Sequence, residues 1–259
     1  IHLTRATCTR LITCKMAETQ KTALVTGANK GIGREVVRQL ATKGYKVFLA
    51  ARDVERGEKA VAELHASGLK DVHFVSLDVT SDESVKKAAE SLATQISALD
   101  VLVNNAGISA GGFKGALEES IEEMKATYEV NIFGVIRTTQ AFVELLKKSK
   151  SGRIVNVGSG LGSLTLTTDK SQFFYNYVMN GYFSSKSALN AITVGFSKTL
   201  APFNIKVNVS DPGYTATDLN HNQGTQTVEV GAQSTVFLAT LPDDGPTASY
   251  YNKDGPIPW

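Results

Sequence analysis

Tyr182 and Lys186 stand four positions apart in Tyr182-Phe183-Ser184-Ser185-Lys186, so a helix would put a phenol and an ammonium on one face. Such a pair suits proton transfer to an oxygen that gains negative charge, as a carbonyl oxygen does when hydride reaches its carbon. A free phenol has a pKa of about 10, too high to exchange protons readily near neutrality. A neighbouring cation favours phenolate and pulls that value down, which would make Tyr182 a general acid in reduction and a general base in oxidation. Spacing alone is a weak signal, because eight tyrosines make a chance lysine partner common. Position strengthens it: Ser159 lies upstream at the end of an apolar run, and the pair opens a helical stretch. A hydroxyl at 159 would hold a substrate oxygen against Tyr182. Its plainer reading is a serine in a strand-end turn.

Those side chains need a scaffold. Strands are expected at Thr22–Thr26, Lys46–Ala50, Val72–Leu77, Leu99–Val103, Arg153–Val157, Lys206–Ser210 and Ser249–Tyr251. Helices are expected near 31–43, 53–67, 81–97, 120–147, 182–201 and 227–240. Most strand runs are nearly continuous in Val, Ile, Leu and Phe, as in a parallel sheet covered on both faces. Ser81, followed by Asp82 and Glu83, reads as a helix entry. The alternation predicts right-handed βαβ units in one doubly wound Rossmann-type α/β domain, a seven-stranded parallel sheet with helices on both faces. Ligands of such sheets bind beyond the carboxyl ends of the strands, and polar residues gather there.

The first strand runs into Thr26-Gly27-Ala28-Asn29-Lys30-Gly31-Ile32-Gly33 and then a helix. Glycines there allow a tight turn and bring backbone N–H groups to a pyrophosphate at the helix N-terminus. Strand before and helix after favour a dinucleotide site over an unliganded glycine turn. The second strand ends in Ala50-Ala51-Arg52-Asp53. An acid at that point would bond a ribose 2′-hydroxyl, whereas Arg52 offers a planar fork for a 2′-phosphate and Lys30 a second positive charge. NADP(H) is therefore the expected cofactor. Asp53 reads as the cap of the next helix; turned inward, it would favour NAD.

The glycine spacing is Thr-Gly-x-x-x-Gly-x-Gly. With Asn104-Asn105-Ala106-Gly107, Asn156-Val157-Gly158-Ser159-Gly160, the Tyr182–Lys186 pair and Pro212-Gly213-Tyr214-Thr215-Ala216-Thr217, the chain resembles the short-chain dehydrogenase/reductase family from Thr22 to its C-terminus. The resemblance implies a fourth catalytic residue beside Ser159, Tyr182 and Lys186. This is Asn131, positioning Lys186 through a water; from the residues alone it is a polar irregularity in a helix. The resemblance also implies that Lys186 bonds the nicotinamide ribose. Asp78, in Leu77-Asp78-Val79, would reach the adenine, and the backbone of Asn105, Ala106 and Gly107 would lie along the cofactor while Asn104 ties the sheet. Beyond the Pro212-Gly213 turn, backbone near Thr215 and the Thr217 hydroxyl would grip the carboxamide.

Two departures stand out. Gly158 replaces the first serine of the family's Asn-x-Ser-Ser, and Ser159 and Tyr182 are 23 positions apart instead of about a dozen. The longer segment carries Phe173, Phe174, Tyr175 and Tyr177. Together with the Ala51–Gly57 stretch and a Pro-x-Trp ending, it brings the resemblance closest to the carbonyl reductase branch. Its aromatics have three readings: a pocket wall, a cover over an oligomerisation face, or local packing. Asn220–Gly224 are expected to form a modest lid over an open pocket, with His221 exposed. The resulting expectation is NADPH-dependent reduction of a small or medium ketone, aldehyde or quinone. Reduction of a 3-oxoacyl thioester would use the same residues. A dinucleotide-sensing protein without turnover would lack part of the four-residue set, which is complete here.

Composition sets the outer bounds. A chain of 259 residues, 42% hydrophobic, can bury one large core. A net charge of +2 gives no electrostatic footprint for nucleic acid or a membrane surface, and no apolar run approaches the roughly 18 residues of a span. Ile1–Lys15 holds both cysteines, Cys8 and Cys14, with Arg5, Arg10 and Lys15 and no acid. It reads as a short targeting segment or, better since an apolar h-region is missing, as a disordered or non-native tail upstream of a start at Met16. Residues 16–259 are then the oxidoreductase domain. Their lack of cysteine excludes disulfides and a thiolate nucleophile and suits the reducing cytoplasm. The four histidines lack ligand spacing, so no metal is expected. The expected partner is a small-molecule carbonyl substrate, and the expected assembly a monomer or homodimer.

Overall fold

In the computed structural model, which describes residues 20–259, the continuous apolar runs become strands buried on both faces; the expectations for residues 1–15 and for the Met16 start lie outside the described residues. The strands are β1 (Thr22–Thr26), β2 (Lys46–Ala51), β3 (Val72–Ser76), β4 (Val101–Asn104), β5 (Arg153–Val157), β6 (Lys206–Ser210), β7 (Tyr250–Asn252) and β8 (Gly255–Pro256). They form one sheet in the order β3-β2-β1-β4-β5-β6-β7-β8. Neighbours from β3 to β7 pair in parallel. The expected seven-stranded parallel sheet is corrected at its edge, where β8 folds back antiparallel on β7. Lys253 and Asp254 make the turn between them, and Gly255 follows at φ 138°, a conformation open mainly to glycine.

Helices cover both faces: α1 (Gly31–Thr42), α2 (Val54–Ala66), α3 (Asp82–Gln95), α4 (Ile121–Tyr128), α5 (Gly134–Leu146), α6 (Leu164–Thr168), α7 (Asn180–Leu200), α8 (Val228–Gly231) and α9 (Gln233–Ala239). Successive residues of β1 point to opposite layers. Ala23 and Val25 join a core with Val37 and Leu40 of α1, Leu64 of α2 and Val236 of α9. Leu24 joins the other, with Leu92 of α3, Phe142 of α5 and Leu200 of α7. Strand order reverses between β1 and β4, so the glycine loop and Asn104–Gly107 meet at the switch point where such sheets bind ligands.

Two expected helices are interrupted. The 120–147 stretch contains a π-helical turn, Glu129–Phe133, between α4 and α5. That turn carries Asn131, whose side chain pairs with both backbone groups of Ile108 (2.9 Å each). The 227–240 stretch divides into α8 and α9 at Ala232. Asp53 caps α2, accepting from Arg56 N at 3.0 Å, so the inward-turned alternative is not adopted.

Asn104 is buried at the end of β4 and donates to Asn156 Oδ1 (2.8 Å) and Thr139 Oγ1 (3.2 Å). Asn156 in turn donates to Thr193 on α7 (2.8 Å), so one polar chain joins β4, β5 and two helices. Asn104→Ala is expected to cost about 1–3 kcal/mol, because Asn156 Oδ1 is left buried without its donor. The denaturation midpoint should fall at an unchanged m value; an unshifted midpoint would remove this chain from the account.

Candidate active site

α7 begins at Asn180, which places Tyr182 and Lys186 in its first two turns, beside the carboxyl end of β5. The helix can approach because Gly162 has no side chain: a Cβ there would lie 2.8 Å from the Lys186 backbone. Tyr182 is buried and lines one cavity with Ser159. Lys186 Nζ donates to Val157 O (2.8 Å) and lies 5.5 Å from the centre of the Tyr182 ring. Ser159 Oγ accepts from Leu161 N at 3.3 Å, and the Tyr250 hydroxyl donates to the Ser159 carbonyl. Gly158 explains the missing serine, since a Cβ would come within 2.5 Å of Val209 Cγ1.

Asn131 is buried beside this group. Its amide donates to Ser185 Oγ (3.0 Å), while a Cβ built on Gly107 would lie 3.4 Å from its Oδ1 and 3.6 Å from Lys186 Nζ. The two side chains thus flank one spot without a direct hydrogen bond between them.

The electrostatics correct one expectation. Burial pushes the Tyr182 phenol up to about 12, against the hydrogen bond with Ser159 that lowers it, and the Asp211 carboxylate adds to the rise. Burial also brings Lys186 down to about 8. Desolvation is therefore the largest effect on both groups in the protein alone.

A cleft of about 680 Å³ runs from the glycine loop to Tyr182. Gly27, Lys30, Gly31, Ile32 and Gly33 line its first half; Asn105, Gly107, Tyr182, Lys186, Pro212 and Thr217 line the second. The fit to a dinucleotide rests on the cradle itself. A Cβ on Gly27 would lie 2.8 Å from Ala106 Cα, at a φ of 62° that disfavours side chains, and Gly33 has no room against Gly27 O (2.8 Å). Asn105 Nδ2 fastens the loop through Thr26 O (2.9 Å) and Gly27 O (3.1 Å), and Ala106 N donates to Thr26 Oγ1 (3.1 Å).

Other expected contacts lie outside that wall or are held by partners within the protein. Asn29 lies in the turn without lining the cleft, and Arg52 is exposed just past the end of β2. Asp78 folds back on Thr80, accepting from its N (3.0 Å) and Oγ1 (2.7 Å), while Val79 packs against Gly134. Lys30 is paired with Asp218 at 2.6 Å, which joins the glycine loop to the segment after Thr217. Thr215 is buried, with Oγ1 donating to Pro212 O (2.9 Å) and its N–H to Gly213 O (2.9 Å).

An inner cavity of about 120 Å³ adjoins the cleft, and Tyr182 belongs to both walls. Ser159, Gly213 and Thr215 line it together with Phe173, Phe174 and Tyr177 from the long segment. Of the three readings of those aromatics, pocket wall and local packing both hold: Phe173 sits 5.0 Å from Tyr177 and 5.8 Å from Tyr214, centre to centre. His221 is exposed; Leu219 and Asn220 supply that loop's contribution. Phe113, Met179 and Asp211 also line the cavity and were not legible as site residues. Only Asp211 left a signal, an acid directly before Pro-Gly at a strand end.

Among the described residues no helix is long and apolar enough to cross a membrane, and no group of three or more His, Cys, Asp or Glu is placed to hold a metal ion.

The sequence pattern of the short chain dehydrogenases matches residues 21–227. The chain belongs to the short-chain dehydrogenase/reductase family. It is 35% identical to (+)-neomenthol dehydrogenase of Arabidopsis thaliana, over 91% of this chain and 97% of that one. Salutaridine reductase from Papaver somniferum superposes with a TM-score of 0.79 at 29% identity, covering 90% of this chain and 99% of its own. NADPH-bound carbonyl reductase from chicken fatty liver superposes with a TM-score of 0.81 at 27% identity, covering 93% and 99%.

Proposed function

We propose that the chain is an NADPH-dependent reductase of small or medium ketones, aldehydes or quinones, reversible as an alcohol dehydrogenase, with Asn131, Ser159, Tyr182 and Lys186 as its catalytic set. The observation that carries this reading is the place of Tyr182, on the wall shared by the dinucleotide cleft and the aromatic cavity. The reductases and the NADPH complex among its relatives support it. Residues 16–259 are read as the catalytic domain of a cytoplasmic monomer or homodimer.

Backbone N–H groups of the Gly27–Gly33 loop would hold the pyrophosphate. Lys30 and Arg52 would take the 2′-phosphate, Asp78 and Val79 the adenine end, and Asn105–Gly107 the middle of the cofactor. Pro212, Gly213, Thr215 and Thr217 would hold the nicotinamide end. Nicotinamide bound there would supply hydride to the carbonyl carbon. Ser159 fixes the carbonyl oxygen, and Tyr182 passes its phenolic proton to that oxygen as charge develops there. Lys186, held by Val157 O, stands near the phenol, and Asn131 keeps the π turn and the start of α7 in register through Ile108 and Ser185.

NADPH oxidation should be followed against a panel of ketones, aldehydes and quinones, with a 3-oxoacyl thioester as a further arm and NADH as alternative donor. Turnover with NADPH on the simple carbonyls is expected. Silence on every arm would overturn the reading, and turnover of the thioester alone would redirect it. Arg52→Ala is expected to raise KM for NADPH roughly tenfold while KM for NADH stays within about twofold, since only the former carries the phosphate that the guanidinium fork fits. Equal changes in both would remove Arg52 from the phosphate site.

A further inference from the structure

Asp211 is buried at the end of β6 and lines the same cavity as Ser159 and Tyr182, yet the proton transfer described above does not use it. Its Oδ1 accepts from Gly213 N at 2.9 Å, and the Gly160 backbone packs against the carboxylate, where an added Cβ would lie 3.2 Å from Oδ2. The backbone is clamped on both sides: Asp211 N donates to Tyr251 O (2.7 Å), and its carbonyl accepts from Ser234 Oγ (2.9 Å). A turn of this kind forms equally well with Asn or Ser, so the turn does not require the charge. Burial raises the Asp211 carboxyl above its ordinary value, against the backbone hydrogen bonding that lowers it, so the charge is held at a cost that the turn does not require.

We propose that Asp211 is a positioning residue that ties the Ser159–Gly160 turn to the Pro212–Gly213 loop and sets a negative charge against Lys186 at the Tyr182 phenol. This rests on the reading of Tyr182 as proton donor. The groups facing that phenol are Lys186 from its own helix, Ser159 from the β5 turn, Asp211 from β6 and Tyr250 from β7. Lys186 favours phenolate and Asp211 opposes it, which keeps the proton on oxygen and favours the acid form needed for reduction. Burial pushes the Tyr250 phenol up strongly, with Asp211 and Tyr182 adding to the rise, so Tyr250 stays a neutral donor to Ser159.

Asp211→Asn keeps the size and removes the charge; Asp211→Ser keeps the turn if the amide packs badly. Two readouts apply: the pH profile of alcohol oxidation, and phenolate absorbance of the cofactor-free protein at fixed alkaline pH, each corrected against a Tyr182→Phe background. The oxidation midpoint is expected to fall by about one pH unit and the Tyr182 phenolate fraction to rise about tenfold. Unmoved midpoint and absorbance, even with lower stability or turnover, would overturn the proposal. So would the failure of both variants to fold, because the carboxylate would then serve folding. An inactive wild type would sink the functional reading alone, since the absorbance still reports on Asp211.

Discussion

Tyr182→Phe is expected to lower kcat for carbonyl reduction at least about 10²-fold while leaving KM for NADPH within about threefold. The ring is buried, so phenylalanine fills the same space and no cavity opens. What disappears is one oxygen, from a residue that shares a cavity wall with Ser159 and lines the cleft as well. Steady-state reduction of a substrate found in the panel measures the effect. An unchanged kcat would reject Tyr182 as the donor.

Lys186→Met should cost about 10²-fold in kcat and also weaken NADPH, because the ammonium is proposed to serve both phenol and ribose. Methionine keeps an apolar stem of similar length in the buried channel that ends at Val157 O. The pH dependence gives the sharper test. With Lys186 brought down to about 8 and Tyr182 pushed up to about 12, the protein alone holds ammonium and neutral phenol near neutrality. Reduction needs that protonated phenol, so its rate falls as pH rises through the phenol's midpoint. Oxidation needs phenolate and rises through the same midpoint. In the protein alone Lys186 would lose its proton well before Tyr182, so the test is made on the complex with oxidised cofactor, whose positive ring would lower the phenol toward the lysine. Removing the cation there disfavours phenolate, and the oxidation midpoint should move upward in Lys186→Met, opposite to the shift expected for Asp211→Asn. A midpoint that stays or falls would contradict the role given to Lys186.

Much of this site was legible because its signals are local. Continuous apolar runs named the parallel strands, and the glycine loop and the Tyr182–Lys186 pair each occupy a few consecutive residues. Apart from the local turn at Asp78, what was missed depends on chain segments that meet only after folding. Lys30 finds Asp218 at a separation of 188 residues, and nothing near either one announces the pair. Asp78 turns to Thr80, two residues away, because a short acid at a strand end readily bonds its own backbone. The π turn at Asn131 needs Ile108 as its partner, so a helical pattern alone cannot reveal it. Phe113 and Met179 read as ordinary apolar residues until the cavity brings them beside Ser159. The sign of the Tyr182 shift failed for a related reason. Spacing shows the cation, whereas burial, the larger effect, comes from the packed fold.

The most direct measurement is single-turnover oxidation of protein-bound NADPH on mixing with a carbonyl substrate, in wild type and Tyr182→Phe, with cofactor affinity followed in parallel by fluorescence. Equal affinity with hydride transfer slowed at least about 10²-fold in the variant is the predicted result. Equal affinity with equal rates would contradict it.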